Sequence, residues 1–141
     1  MTELPDDVYT KITSLTEEGN THFDSGRLAE ALERFEKAMD LVPEPITDWE
    51  ASTWILTAIA DCHFLLGRFQ EAHHTLSMGI HCPGALGIPF IHLRLGQVQY
   101  ELGNMERAKD ELARAYMGGG EELFELDDPK YLSYIKTFMK T

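Results

Sequence analysis

Ala60-Asp-Cys-His-Phe-Leu-Leu-Gly67-Arg-Phe-Gln-Glu-Ala72 occurs in altered form twice more in the chain, as Gly19-Asn-Thr-His-Phe-Asp-Ser-Gly26-Arg-Leu-Ala-Glu-Ala31 and as Gly96-Gln-Val-Gln-Tyr-Glu-Leu-Gly103-Asn-Met-Glu-Arg-Ala108. Aligned on Gly26, Gly67 and Gly103, the three stretches agree in register over a longer span. Seven residues before each glycine stands a small residue (Gly19, Ala60, Gly96), and three before it an aromatic (Phe23, Phe64, Tyr100). Five residues after it comes an alanine (Ala31, Ala72, Ala108), nine after it a large apolar residue (Phe35, Leu76, Leu112), and twelve after it another small one (Ala38, Gly79, Ala115). A pair of helices accounts for this spacing. The upstream small residue lets a first helix approach its partner, the glycine accepts the left-handed conformation that ends that helix, and the alanines mark where a second helix packs back.

The pattern resembles the tetratricopeptide repeat, and Pro43 stands where that family's terminal proline closes a repeat. The resemblance covers residues 12 to 120. It implies an all-α fold, a right-handed α-α superhelix of three helical hairpins over about 12–45, 48–86 and 88–120. A capping segment follows at 121–141, and the whole makes one domain over 1–141. The glycines are 41 and then 36 residues apart, against a family period of about 34, so the connectors hold extra chain. In the first insertion Thr47-Asp-Trp-Glu50 has the form of a capping box, which starts the next helix near Asp48. In the second, His81-Cys-Pro-Gly-Ala-Leu-Gly87 reads as a loop. Helices are expected at about 6–24, 28–42, 48–65, 69–81, 89–101 and 105–117, the last ended by Gly118-Gly-Gly120. A short helix is expected in 121–125. A final one is capped by Asp127 or Asp128, with Pro129 in its first turn. It places Tyr131, Leu132, Ile135, Phe138 and Met139 on an apolar face that covers the end of the array, and turns Lys130, Lys136 and Lys140 to water.

Twenty-four Asp and Glu against twelve Lys and Arg give a formal charge of -12. That charge opposes binding to nucleic-acid phosphates and to anionic membranes, and points to a basic partner. No run of residues is long and apolar enough to span a bilayer, and Met1-Thr-Glu-Leu-Pro-Asp-Asp7 lacks the pattern of a signal peptide, so a cytoplasmic location is expected. Cys62 and Cys82 are then expected as reduced thiols.

The family resemblance also implies where a ligand sits. In tetratricopeptide domains the first helix of each hairpin lines a concave groove, at positions thirteen, ten, nine, six, three and two residues before the glycine. In this chain those are Thr13, Thr16, Glu17, Asn20, Phe23 and Asp24, then Trp54, Thr57, Ala58, Asp61, Phe64 and Leu65, then Phe90, Leu93, Arg94, Gln97, Tyr100 and Glu101. Asn20, Phe23, Trp54, Asp61, Phe64, Phe90, Arg94, Gln97 and Tyr100 are the candidate contacts to a protein or peptide partner. The recurring Phe23, Phe64 and Tyr100 are equally suited to filling the core, whereas Trp54 and Phe90 match Thr13 in repeat one and are the better recognition candidates. Some members of the family hold the C-terminal carboxylate of heat-shock chaperones with two lysines, two asparagines and an arginine. Here those positions are Thr16, Asn20, Asp61, Phe90 and Arg94, and only Asn20 and Arg94 agree, so that ligand is not expected.

His22, His63, His73, His74, His81 and His92 prompt a search for chemistry. Cys62-His63 and His81-Cys82 resemble ligand pairs, but adjacent helical residues point about 100 degrees apart and seldom converge on one ion. No nucleophile elbow, phosphate loop or metalloprotease helix is present, and neither catalytic residues, metal nor cofactor is expected. The function expected is that of a non-enzymatic binding protein. Two jobs fit it: an immunity or antitoxin protein meeting a basic partner, or a secretion-type chaperone holding an extended apolar segment. A self-associating structural role, with Phe124, Tyr134 and Phe138 as an exposed patch, is a third reading, and monomer and homodimer both stay open.

Overall fold

The computed structural model describes residues 4–139. Among the described residues there are seven α-helices: α1 (Asp6–Asp24), α2 (Leu28–Asp40), α3 (Glu50–Leu65), α4 (Phe69–Gly79), α5 (Pro89–Glu101), α6 (Met105–Gly119) and α7 (Pro129–Lys136). Three 3₁₀ turns, Ile46–Asp48, Ala85–Gly87 and Glu121–Phe124, lie in the connections, and no strand occurs among the described residues. The chain forms two compact units, the first ending at Gly84 and the second starting at Ala85.

The three hairpins, α1–α2, α3–α4 and α5–α6, are built the same way. Gly26, Gly67 and Gly103 have φ of 79°, 78° and 83°. With that left-handed residue in place, the next amide turns back to the carbonyl five residues earlier: Arg27 N donates to His22 O at 2.9 Å, Arg68 N to His63 O at 2.8 Å and Asn104 N to Gln99 O at 2.8 Å. This bond satisfies a carbonyl that the helix end would otherwise leave open. The small and large positions of the repeat then meet. A Cβ on Gly19 would lie 2.5 Å from the ring of Phe35, and one on Gly96 would lie 2.6 Å from Cγ of Leu112. Ala31, Ala38, Ala72, Ala108 and Ala115 are fully buried, which is what lets the paired helices touch.

In the first unit the core gathers Ile12, Leu32, Phe35, Ile55, Leu56, Ile59 and Cys62, with Phe23, Ile46 and Trp49 half-buried at its edge. The helix expected from a capping box at Thr47 starts later, at Glu50, with Trp49 extended (φ -119°, ψ 131°) and no side-chain cap. Trp49 Nε1 donates to Pro43 O at 2.8 Å and Ser52 Oγ to Ile46 O at 2.6 Å. Seating Ile46 and Trp49 against the core therefore overrides the local capping signal. The second connector is pinned by Thr53 Oγ1, which donates to Pro83 O at 2.7 Å.

His63 of α3 is buried, and its Nδ1 has no hydrogen-bond partner among the described residues. Burial, more than the Arg68 charge, holds its pKa below the usual 6.5, while Glu36 and Glu71 pull the other way. The unfolded chain takes up this proton at about 6.5, whereas the folded chain resists it until lower pH, so stability falls as pH drops below 6.5. Urea unfolding between pH 7.5 and 5 should show the difference between the native chain and His63→Asn shrinking toward acid. A pH-independent difference would remove His63 as the cause.

In the second unit α5 is buried along Ile91–Gln99. His92 bridges two elements, with Nδ1 2.7 Å from Glu111 Oε2 on α6 and Nε2 2.8 Å from Leu86 O in the preceding turn. The sixth helix continues two residues beyond the expected stop, through Gly118 and Gly119, and ends at Gly120 with φ 70°. A Cβ would sit 2.9 Å from Pro89 Cγ at Gly118 and 2.9 Å from Leu123 Cδ2 at Gly119, so these glycines permit close packing rather than ending the helix. Asp128 caps α7, its carboxylate accepting from Lys130 N at 2.9 Å, with Pro129 at the first position. Tyr131 and Ile135 are buried, as expected of its apolar face. Phe138 lies past the helix end and is exposed, and Lys140 lies outside the described residues. The exposed patch expected at Phe124, Tyr134 and Phe138 needs correction, because Phe124 is only 2% exposed and packs against Tyr116.

Candidate functional site

In the first unit a groove of about 920 Å³ runs along α1 and α3. From α1 it takes Tyr9, Ile12, Thr16 and Asn20, spaced three or four residues apart on one helical face. From α3 and the turn before it come Asp48, Trp49, Glu50, Ala51, Trp54, Ile55 and Ala58. Leu4, Asp6, Phe35 and Pro83 complete the lining. Ile12, Phe35 and Ile55 are also core residues, so they form a rigid floor. Tyr9 and Trp54 are 61% and 64% exposed. Every charged lining residue, Asp6, Asp48 and Glu50, is acidic.

Of the candidate contacts, Asn20 and Trp54 line this groove. Phe23 is half-buried against the core, Asp61 is half-buried, and Phe64 is half-buried with its ring edge on Phe69 at 5.7 Å. In the second unit Arg94 Cζ lies 5.1 Å above the half-buried Phe90 ring. Arg94 and Gln97 are buried, with Arg94 donating to Gln97 Oε1 at 2.7 Å and to Asp127 Oδ1 at 3.1 Å. Tyr100 sits edge-on to Tyr131 and Tyr134 at 5.4 and 5.3 Å. Glu101 Oε2 accepts from Tyr131 Oη at 2.7 Å and pairs with Lys130 Nζ at 2.8 Å; the contact raises the pKa of Lys130, and burial, with the Glu101 carboxylate adding to it, raises that of Tyr131. On α5, then, Arg94, Tyr100 and Glu101 are engaged by α7 and the residues just before it.

Tyr9, Trp49 and Glu50 are groove residues outside the candidate set. Tyr9 and Glu50 stand one helical turn before Thr13 and Trp54, seventeen residues upstream of their glycines. The first helices are longer than the template assumes, 19 and 16 residues for α1 and α3 against 13 for α5. Extending the register by one turn would have found both.

A second cleft of about 490 Å³ in the first unit is lined by Met39, Leu56, Ile59 and Met78 together with Glu36, His63, Glu71 and His74. Cys62 is buried nearby and its pKa is pushed up to about 12, chiefly by burial, with Asp61 and Glu36 adding to the rise. It is therefore a packing thiol rather than a nucleophile. Among the described residues no cluster of three or more His, Cys, Asp or Glu is arranged to hold a metal ion. No described helix is long and apolar enough to cross a membrane.

A family model described as tetratricopeptide repeat matches residues 11–79, from within α1 to the end of α4. Over those residues the chain matches the tetratricopeptide repeat. The third hairpin, α5–α6, lies outside that match but carries the same glycine conformation and the same small-large pairing. A comparison with curated proteins gives no match. Solved structures that resemble it include the first tetratricopeptide domain of Spaghetti (RPAP3) bound to the HSP90 peptide SRMEEVD, 22% identical, covering 91% of this chain and 90% of that one, with a TM-score of 0.68. The Yersinia enterocolitica type III secretion chaperone SycD, in complex with a peptide of the translocator YopD, is 16% identical over 89% of this chain and 90% of that one, TM-score 0.69. The C-terminal tetratricopeptide domain of a putative FK506-binding protein from Plasmodium falciparum is 16% identical over 96% and 91%, TM-score 0.73. At these identities the likeness is one of fold.

Proposed function

We propose that this protein is a non-enzymatic binding module that holds an extended segment of a partner protein along α1 and α3. The observation that carries the reading is the groove itself, about 920 Å³ with a rigid apolar floor and the exposed indole of Trp54 at its wall. An aromatic side chain of that size, buried by a partner, anchors an interface. Asn20 and Trp54 are the principal contacts, with Phe23, Asp61 and Phe64 further along the same two helices. Phe90, Arg94, Gln97 and Tyr100 are carried as secondary candidates, three of them already engaged within the second unit. The reading takes the whole chain, 1–141, as one functional domain.

The partner is basic. A net charge of -12 and an acidic groove lining disfavour a ligand such as SRMEEVD, which itself carries three acidic residues. Among concrete jobs, a basic partner suits an immunity or antitoxin protein acting in the cytoplasm. The apolar floor formed by Ile12, Ile55 and Ala58 supports a second reading, a chaperone that keeps an apolar segment extended, as the fold-related SycD is seen with a translocator peptide. The test begins with a partner recovered by affinity purification, identified by mass spectrometry, re-expressed and titrated calorimetrically. Trp54→Ala should weaken its binding by about 2 kcal/mol or more, about thirtyfold, with helical content unchanged. Undiminished affinity would move the site off this groove. Phe90→Ala in the same titration reports whether the second unit takes part.

A further inference from the structure

We propose that the α1–α3 groove selects one positively charged side chain, lysine or arginine, in its peptide, seated on the indole of Trp54 and answered by Glu50. This rests on the groove being the binding site. Three observations lead to it.

The first is the placement of exposed aromatics. Phe23, Phe35, Trp49, Phe64 and Phe69 of the first unit are half or fully buried, whereas Tyr9 and Trp54 keep more than half their surface in water, both in the groove. In the second unit the chain's own cations lie over aromatic rings. Lys109 Nζ lies 4.6 Å over Phe138, Lys130 Nζ 5.2 Å over Tyr131 and Arg94 Cζ 5.1 Å over Phe90. Among the described residues no cation covers Tyr9 or Trp54.

The second is charge. Glu101, Glu111, Glu121 and Asp127 of the second unit each meet a basic side chain, as do Glu18 and Glu33 of the first. Among the described residues Asp6, Asp48 and Glu50 do not. A neutral or acidic segment laid over them would strip water from three carboxylates without supplying a partner, which is unfavourable.

The third is helical register. Glu50 and Trp54 are four residues apart on α3, which puts their Cβ atoms about 5–6 Å apart on one face. A cation resting on the indole is then within reach of that carboxylate, and the two attractions add. Asp6 and Tyr9, three apart on α1, repeat the combination across the groove. Ile12, Ile55 and Ala58 take the apolar neighbours of that residue.

The experiment is selection from a random dodecapeptide library against the intact protein, then fluorescence-polarisation titration of the most enriched peptide and its variants at fixed ionic strength. Enrichment of lysine or arginine at one aligned position is expected. Replacing that residue by norleucine, which keeps the length and loses the charge, should weaken binding about tenfold. Glu50→Gln should remove most of that difference while leaving the norleucine peptide's affinity unchanged. Enriched peptides that lack a cation, or a norleucine variant that binds as well, overturn the inference; if Trp54→Ala still abolishes their binding, the groove reading survives. Peptides indifferent to Trp54→Ala overturn the groove reading and this inference together. A library that yields no enriched peptide counts against both.

Discussion

Gly96→Leu is expected to destabilise the second unit by about 3 kcal/mol or more, beyond the usual cost of overpacking a core. The Cβ alone would come within 2.6 Å of Leu112 Cγ, 2.7 Å of Cδ2 and 3.0 Å of Leu112 N. A side chain can rotate away from a clash, but the amide cannot without pulling α6 off α5. Leu112 itself is fully buried and has no free volume to enter. Far-UV circular dichroism during urea titration is the measurement, and a midpoint within error of the native chain would show that the two helices are not held in this contact. Pairing the substitution with Leu112→Ala should recover part of the loss, because the two positions share one volume.

Phe35→Ala is the complementary case, and about 3–5 kcal/mol is expected, toward the upper end for such a truncation. Phe35 is 2% exposed and its ring lies against Gly19, which has no side chain to collapse into the space left behind. Both tryptophans of the chain, Trp49 and Trp54, belong to the first unit. Tryptophan emission therefore follows this unit alone, and its urea midpoint should fall sharply. A loss under about 1 kcal/mol would mean that α1 and α2 can close the gap, contrary to a packed interface.

The hairpins were legible in the residues because the same local solution is written three times. A left-handed glycine, a small residue facing a large one and an alanine at the crossing are each weak signals alone, but in common register they place α1 to α6 within about two residues at each end. The boundaries that moved did so for tertiary reasons. Trp49 found Pro43 and the core instead of a capping box, and Gly118 and Gly119 stayed helical because Pro89 and Leu123 come too close for a side chain. The groove was half legible. Asn20 and Trp54 fall on the repeat's own register, while Tyr9 and Glu50 sit on an added turn that no repeat template includes. The engagement of Arg94 and Tyr100 by residues near α7 was hidden for a related reason: α7 has no counterpart elsewhere in the chain to align with.

That last helix also bears on how such a protein can change in length. Tetratricopeptide arrays grow by copying a hairpin, and a copy placed after Gly120 would have to dock on Tyr100 and Glu101. Tyr131, Tyr134 and Lys130 already hold those surfaces. A duplicated hairpin could be accepted there only by surrendering the buried Tyr131 and Ile135, so α7 closes the second unit to lengthening behind α6.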